Sequence, residues 1–246
     1  MAAHPTVVDT VTHALSLQIL DGTLAAGARL PSVRALADSH GVNVSTIQRV
    51  LTRLQERRLV RAHDRSGIEV CDVRRSGGAS LWPLVLERMA VDPGPALALL
   101  KDALATRRLL ATQVLERIRE LDYADYGPGL NARIANLEGI VADPESTRPQ
   151  MAEADGEVLR TLLLAVQRPA LLAIFNDVQA MIVQTPALVE AFFRDPETNL
   201  GAWQSLDRML AAGLVDDAAI VGIQALLSTI DEGIVHAFGN GTGAKP

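Results

Sequence analysis

The chain has 246 residues, 23 Lys plus Arg against 29 Asp plus Glu, a net charge of −6 and a single cysteine. One cysteine excludes an intrachain disulfide framework and fits a reducing compartment. The length accommodates one small and one larger domain. No charged-then-apolar leader opens the sequence, and Leu162–Val166 and Ala170–Phe175 are short apolar runs split by Gln167-Arg168-Pro169. A soluble protein without a membrane partner is therefore expected.

In chain order, residues 8–20 (VDTVTHALSLQIL) read as an amphipathic helix, broken by Asp21-Gly22 and Ala26-Gly27. Ser32 is a good N-cap, since its hydroxyl can satisfy a free N–H in the first turn of a helix. Val33, Leu36 and Ala37 supply that helix with an apolar stripe, and Gly41 can end it in a left-handed conformation. Asn43 is placed to cap the next helix, whose core face is Ile47, Val50, Leu51 and Leu54 at helical spacing. Its other face carries Ser45, Thr46, Gln48, Arg49, Thr52 and Arg53, side chains that hydrogen-bond to base edges or phosphates. Leu59-Val60-Arg61, a turn-prone stretch from Asp64 to Gly67, and Ile68-Glu69-Val70 then read as a hairpin. Helix, tight turn, helix and hairpin together predict a winged helix-turn-helix that reads double-stranded DNA.

Charge divides in the same place. Residues 1–76 hold ten arginines, no lysine and seven acids, a balance of +3 that leaves −9 on the remainder. A cationic head suits phosphate contact. The join Arg74-Arg75-Ser76-Gly77-Gly78 reads as flexible, so the DNA-binding domain is expected over 1–76 and an all-α domain over 77–240. The small, polar end from Gly239 predicts a disordered tail, 241–246 at least. The expected fold class is thus mainly α, a winged helix-turn-helix with a small β wing followed by an all-α bundle. Body helices are predicted near 80–90, 95–120, 122–141, 148–167, 169–183, 186–193, 198–212 and 216–238. Breaks are expected at Asp92-Pro93, Gly127-Pro128, Asp143-Pro144, Arg168-Pro169, Thr185-Pro186 and Asp195-Pro196.

The head resembles the winged helix-turn-helix of the GntR family of bacterial transcriptional regulators, through Gly27-Ala28-Arg29-Leu30-Pro31-Ser32-Val33-Arg34 and onward to Val70. The body is similar to the C-terminal domain of the FadR subfamily, its fatty-acid-responsive branch most of all. That similarity rests on Ala154-Asp155-Gly156-Glu157-Val158-Leu159-Arg160-Thr161-Leu162, Arg168-Pro169-Ala170-Leu171-Leu172 and Phe193-Arg194-Asp195-Pro196-Glu197. The resemblance implies a cytoplasmic homodimer on a near-palindromic operator, controlled by a small-molecule effector. The DNA-binding residues expected on this basis are Arg34, Asn43, Val44, Ser45, Thr46, Gln48, Arg49, Arg53, His63, Arg65 and Gly67. Val44 and Gln48 stand where family members often carry arginines, and Arg65 replaces the wing's usual first glycine. An altered operator follows, with Val44 able to touch a thymine methyl.

Many relatives bind a divalent ion through an Asp and three histidines. Here Asp155 is in place, but Leu159, Gln204 and Ala225 occupy the histidine places, and His236 is the one histidine of the body. Neither a metal nor another cofactor is expected. A metal-free body resembles the acyl-CoA-binding branch, and its aliphatic composition would suit an apolar cavity or an ordinary core equally well. Arg107, Arg108, Asp155, Gly222, Thr229 and Asp231 are the candidate effector contacts. Gly201, Gly213, Gly222 and Gly233 are read as points of close approach, and Trp82, Trp203, Tyr123 and Tyr126 as packing residues. The acidic clusters Glu153/Asp155/Glu157, Asp216-Asp217 and Asp231-Glu232 have no nucleophile, histidine or Gly-rich loop near in sequence, so no enzyme is expected.

Overall fold

In a computed structural model, residues 5–63, 67–88 and 91–241 are described. The chain forms two compact units, Met1–Val85 and Leu86–Pro246.

In the first unit, α1 (Val7–Leu20) is opened by a capping box in which Thr6 and Asp9 satisfy each other's backbone N–H. Its buried side, Val8, Val11, Leu15 and Ile19, packs on α3 (Val44–Glu56). Between them, α2 (Val33–His40) starts at Ser32, whose hydroxyl accepts from Ala35 N–H at 3.2 Å, and stops at Gly41 with φ +62°. Asn43 caps α3, which buries Ile47, Val50, Leu51 and Leu54. The chain leaves α3 through Arg58 at φ +58°, a left-handed conformation that glycine adopts more cheaply.

Strands β1 (Val60–His63) and β2 (Gly67–Val70) pair antiparallel, with Val60 opposite Val70 and His63 opposite Gly67. The wing has a further rung that the sequence does not announce. The segment before α2 runs beside β2, with Leu30 N–H donating to Ile68 C=O at 2.8 Å and Val70 N–H to Ala28 C=O at 2.9 Å.

The expected flexible join at 74–78 is docked instead. Val73–Ser76 forms one helical turn (α4) capped by Asp72, and the Ser76 hydroxyl lies 2.7 Å from Asp72 C=O and 3.2 Å from Arg58 C=O. Leu81 and Leu84, at and after a 3-10 turn over Ala79–Leu81, are buried in the head core. The units therefore divide at Val85 and Leu86, nine residues beyond the expected boundary at 76. Helix α5 (Trp82–Glu87) spans that division.

The second unit is all helical: α6 (Pro93–Ile118), α7 (Tyr123–Ala142), α8 (Arg148–Ala165), α9 (Pro169–Gln184), α10 (Pro186–Phe192), α11 (Pro196–Ala211) and α12 (Asp217–Gly241). Proline at the first or second position opens α6, α8, α9, α10 and α11, where its missing N–H costs nothing. Pro128 is the exception: it lies inside α7 and does not end it. One core joins α6, α7, α8 and α11 around Ile118, Leu130, Leu137, Val158 and Leu162. Another joins α6, α10 and α12 around Leu100, Leu188, Ile234 and Phe238. The expected tail from Gly239 begins inside α12, which reaches Gly241; residues 242–246 lie outside the described ones.

The expectation that no segment reaches membrane length is corrected by α12. Within Asp217–Asn240 an 18-residue stretch has mean hydropathy 1.5, long and apolar enough, by length and composition alone, to cross a membrane. Scanning for unbroken apolar runs overlooks it because Asp231 and Glu232 interrupt an otherwise apolar stretch.

Leu54 is fully buried at the contact of α3 with the head core. Leu54→Ala is expected to destabilise the head by about 2–5 kcal/mol through the cavity it leaves. Urea unfolding of the full chain, followed by circular dichroism, measures this; a loss below about 1 kcal/mol would contradict the packing described.

Candidate nucleic-acid interface and effector cluster

Burial of one side of α3 turns its other side outward, and hydrogen bonding decides which groups there remain available. Asn43 Oδ1 accepts from Thr46 N–H and from the Ser45 hydroxyl, both at 2.7 Å. The Thr52 hydroxyl donates to Gln48 C=O at 3.0 Å. Val44, Gln48 and Arg49 are exposed, Val44 at 41%. Arg34 is exposed on α2, and among the described residues no ion pair engages Arg34 or Arg49.

Arg53 differs. Its guanidinium is bound by the Asp9 carboxylate at the start of α1. Hydrogen bonds from the Thr6 hydroxyl and backbone N–H, then the Arg53 guanidinium, hold Asp9 down to about 2. That carboxylate stays charged throughout the physiological range, so Arg53 is tethered as well as cationic.

On the wing, His63 Nε2 lies 2.9 Å from Glu69 Oε2, and Gly67 takes φ +90°, which explains the glycine. Arg65 lies outside the described residues. The remaining expected DNA contacts thus share one unit: Arg34 on α2, residues 43–53 at and along α3, and His63 and Gly67 on the wing.

In the body, four of the six candidate effector residues come together. Asp231 of α12 is 3% exposed and is gripped by Arg107 and Arg108 of α6, with Arg107 Nη2 at 2.5 Å. The Arg107 guanidinium also lies 5.8 Å from the centroid of Phe192 on α10, a cation–π contact, and its buried Nε–H has no acceptor among the described residues. Asp155 of α8 accepts from Trp203 Nε1 of α11 at 2.6 Å. Burial pushes its carboxyl up to about 6, against the lowering effects of that hydrogen bond and of the Arg107 charge. Arg107 therefore acts on a buried carboxylate, Asp231, and a half-buried one, Asp155, from two different helices.

Gly222 and Thr229 stand apart from this cluster. A Cβ at Gly222 would meet open space, as it would at Gly201 and Gly233, and the Thr229 hydroxyl is spent on Ala225 C=O at 3.2 Å. Close approach is thus no reason for these glycines, while Gly213 serves the turn after α11 with φ +64°. Trp203, expected only as a packing residue, and Phe192, not foreseen, belong to this cluster, and an unforeseen hydrogen bond between Gln224 and Thr112 also joins α12 to α6. His236 pairs with Asn240 at 2.8 Å, and among the described residues no group of three or more His, Cys, Asp or Glu is placed to hold a metal ion.

The head's geometry defines a winged helix-turn-helix DNA-binding module. Residues 7–70 match the family described as bacterial regulatory proteins, gntR family, so the head is a GntR-type DNA-binding domain. No curated protein sequence matches the chain. Among solved structures it is similar to Lar, which controls the expression of the Listeria monocytogenes agr system and mediates virulence. The TM-score is 0.60 at 16% identity, over 95% of this chain and 99% of that one, a likeness of fold. Lower scores relate it to a GntR protein of Streptococcus agalactiae (0.47, 19% identity, 92% and 99% covered). A GntR-family transcriptional regulator of Pseudomonas syringae pv. tomato DC3000 also matches (0.43, 19% identity, 95% and 88% covered).

Asp155 carries a pH prediction. Its folded pKa of about 6 stands above the ordinary 3.8, so the folded state binds the proton more tightly than the unfolded one. Stability then falls as pH rises through that window, by about 3 kcal/mol. Asp155→Asn keeps an acceptor for Trp203 and abolishes the fall. Urea unfolding of both proteins from about pH 4 to about pH 7 should show the variant gaining on wild type as pH rises; parallel curves would refute the burial of this carboxyl.

Proposed function

We propose that the chain is a cytoplasmic, homodimeric transcriptional regulator of the FadR type, with one head on each half of a near-palindromic operator. In this reading the body, the domain expected from residue 77 onward, dimerises and holds a small effector whose binding alters the spacing of the heads. The observation that carries the DNA half is the outward face of α3, with Val44, Gln48 and Arg49 free on a helix of a width that enters the major groove. The effector half is supported by the cluster around Arg107. Two guanidiniums and a buried N–H without an acceptor among the described residues, beside an aromatic ring, form a seat for an anionic head group. A fatty acyl-CoA or similar hydrophobic carboxylic metabolite combines such an anion with an apolar chain.

A second reading is favoured by Asp231. Its buried carboxylate already neutralises one positive charge of the arginine pair. A body stabilised in this way from within would serve as a dimeriser without a ligand.

Gel shifts on genomic fragments, repeated with a panel of acyl-CoAs, separate the two. The first reading expects a specific shift whose affinity changes about tenfold with one panel member, the size of a typical allosteric coupling. A shift indifferent to every effector supports the second, and no shift on any fragment removes both. Mass spectrometry of the undenatured protein should reveal a retained acyl ligand as added mass and the dimer as doubled mass.

A further inference from the structure

We infer that Val44 and Gln48 form the base-reading surface of α3 and that they recognise adenine–thymine pairs at neighbouring positions of the major groove. This rests on the head being a DNA-binding module and goes further, to the bases it selects.

The assignment follows from which side chains are already occupied. Along the outward face of α3, the Ser45 hydroxyl donates to Asn43 Oδ1, and that oxygen is shared with Thr46 N–H. Thr52 donates to the backbone, and Arg53 is bound to Asp9. Val44, Gln48 and Arg49 are left as exposed side chains, the Thr46 side chain being half-buried. Val44 and Gln48 are four residues apart and so neighbours on one face, whereas Arg49 is turned about 100° around the helix from Gln48.

Chemistry then narrows the bases. Val44 is an exposed apolar residue at the first position of α3, with no donor or acceptor on its side chain. The thymine C5-methyl is the apolar group that a base pair displays in the major groove. Set against a cytosine amino group or guanine O6, the valine would exclude water from a polar atom and leave it unpaired, an unfavourable exchange. Against thymine it buries a methyl. Gln48 carries a donor and an acceptor on one carboxamide, the pairing that adenine N7 and N6 present. Arg49 supplies charge for the phosphate backbone, which positions the helix without reading sequence.

The test uses the full-length protein. Sites are first selected from a randomised duplex pool, and each thymine of the selected half-site is then replaced in turn by deoxyuridine, which deletes only the C5-methyl. Selected half-sites should carry A·T pairs at two neighbouring positions. Deoxyuridine at one of them should weaken binding about fourfold per half-site, the value of one buried methyl group. Val44→Ala should reduce that sensitivity below about twofold, and Gln48→Ala should relax the adenine preference while leaving the methyl effect in place. Because the deoxyuridine arm uses unmodified protein, it stands even if a variant folds poorly. Guanine–cytosine pairs throughout the selected half-site, or indifference to every deoxyuridine, would overturn the inference while leaving the head a DNA reader. Failure to enrich or bind any duplex would overturn the reading of the head itself, and this inference with it.

Discussion

The head's chemistry depends on the burial of Ile47, Val50, Leu51 and Leu54 against α1 and the wing. These four side chains fix the rotation of α3 about its own axis, and a helix turned by a single residue would present a different set of groups to DNA. Burying each is worth roughly 1.5–3 kcal/mol. Together they set the rotation more firmly than any polar contact on the outward face. The presentation of Val44 and Gln48 is thus a by-product of core packing.

The body is held differently. Its helices share apolar cores, and α6 and α12 are joined in addition through the buried Asp231 carboxylate. Taking such charges out of water costs several kcal/mol each, and their attraction compensates only when geometry is good. Asp155 adds a half-buried carboxyl, and Arg107 acts on both. Loss of the Arg107 charge would leave Asp231 on Arg108 alone and strengthen the tendency of Asp155 to hold its proton. Apolar packing alone would not couple the two carboxyls.

What was legible in the sequence was local. Ser32, Gly41 and Asn43 cap helices through bonds spanning four residues or fewer, so the helix-turn-helix could be placed from them. Prolines at helix starts marked the body's elements in the same way. Long-range partners were not legible. Nothing in sequence order pairs Asp9 with Arg53 across 44 residues, or Arg107 with Asp231 across 124. The rung made by Ala28–Leu30 beside β2 is too short to show a strand pattern, and Leu81 and Leu84 follow a glycine pair that suggested a linker. The arginines and Asp231 were therefore named together as candidate effector contacts, while their pairing with one another was not legible.

The bond between Asp9 and Arg53 separates two properties that DNA-binding helices often combine. Arg53 sits toward the far end of α3 from Val44, and while Asp9 pairs with it, a phosphate must compete with that carboxylate for its charge. Release of that guanidinium, by loss of Asp9, would add about one phosphate contact and steepen the dependence of binding on salt by about one counterion. Affinity for all sequences would rise together and the order of preference among them would not change. A single residue on a helix remote from the base-reading end can thus set how tightly this protein holds DNA without touching which DNA it chooses.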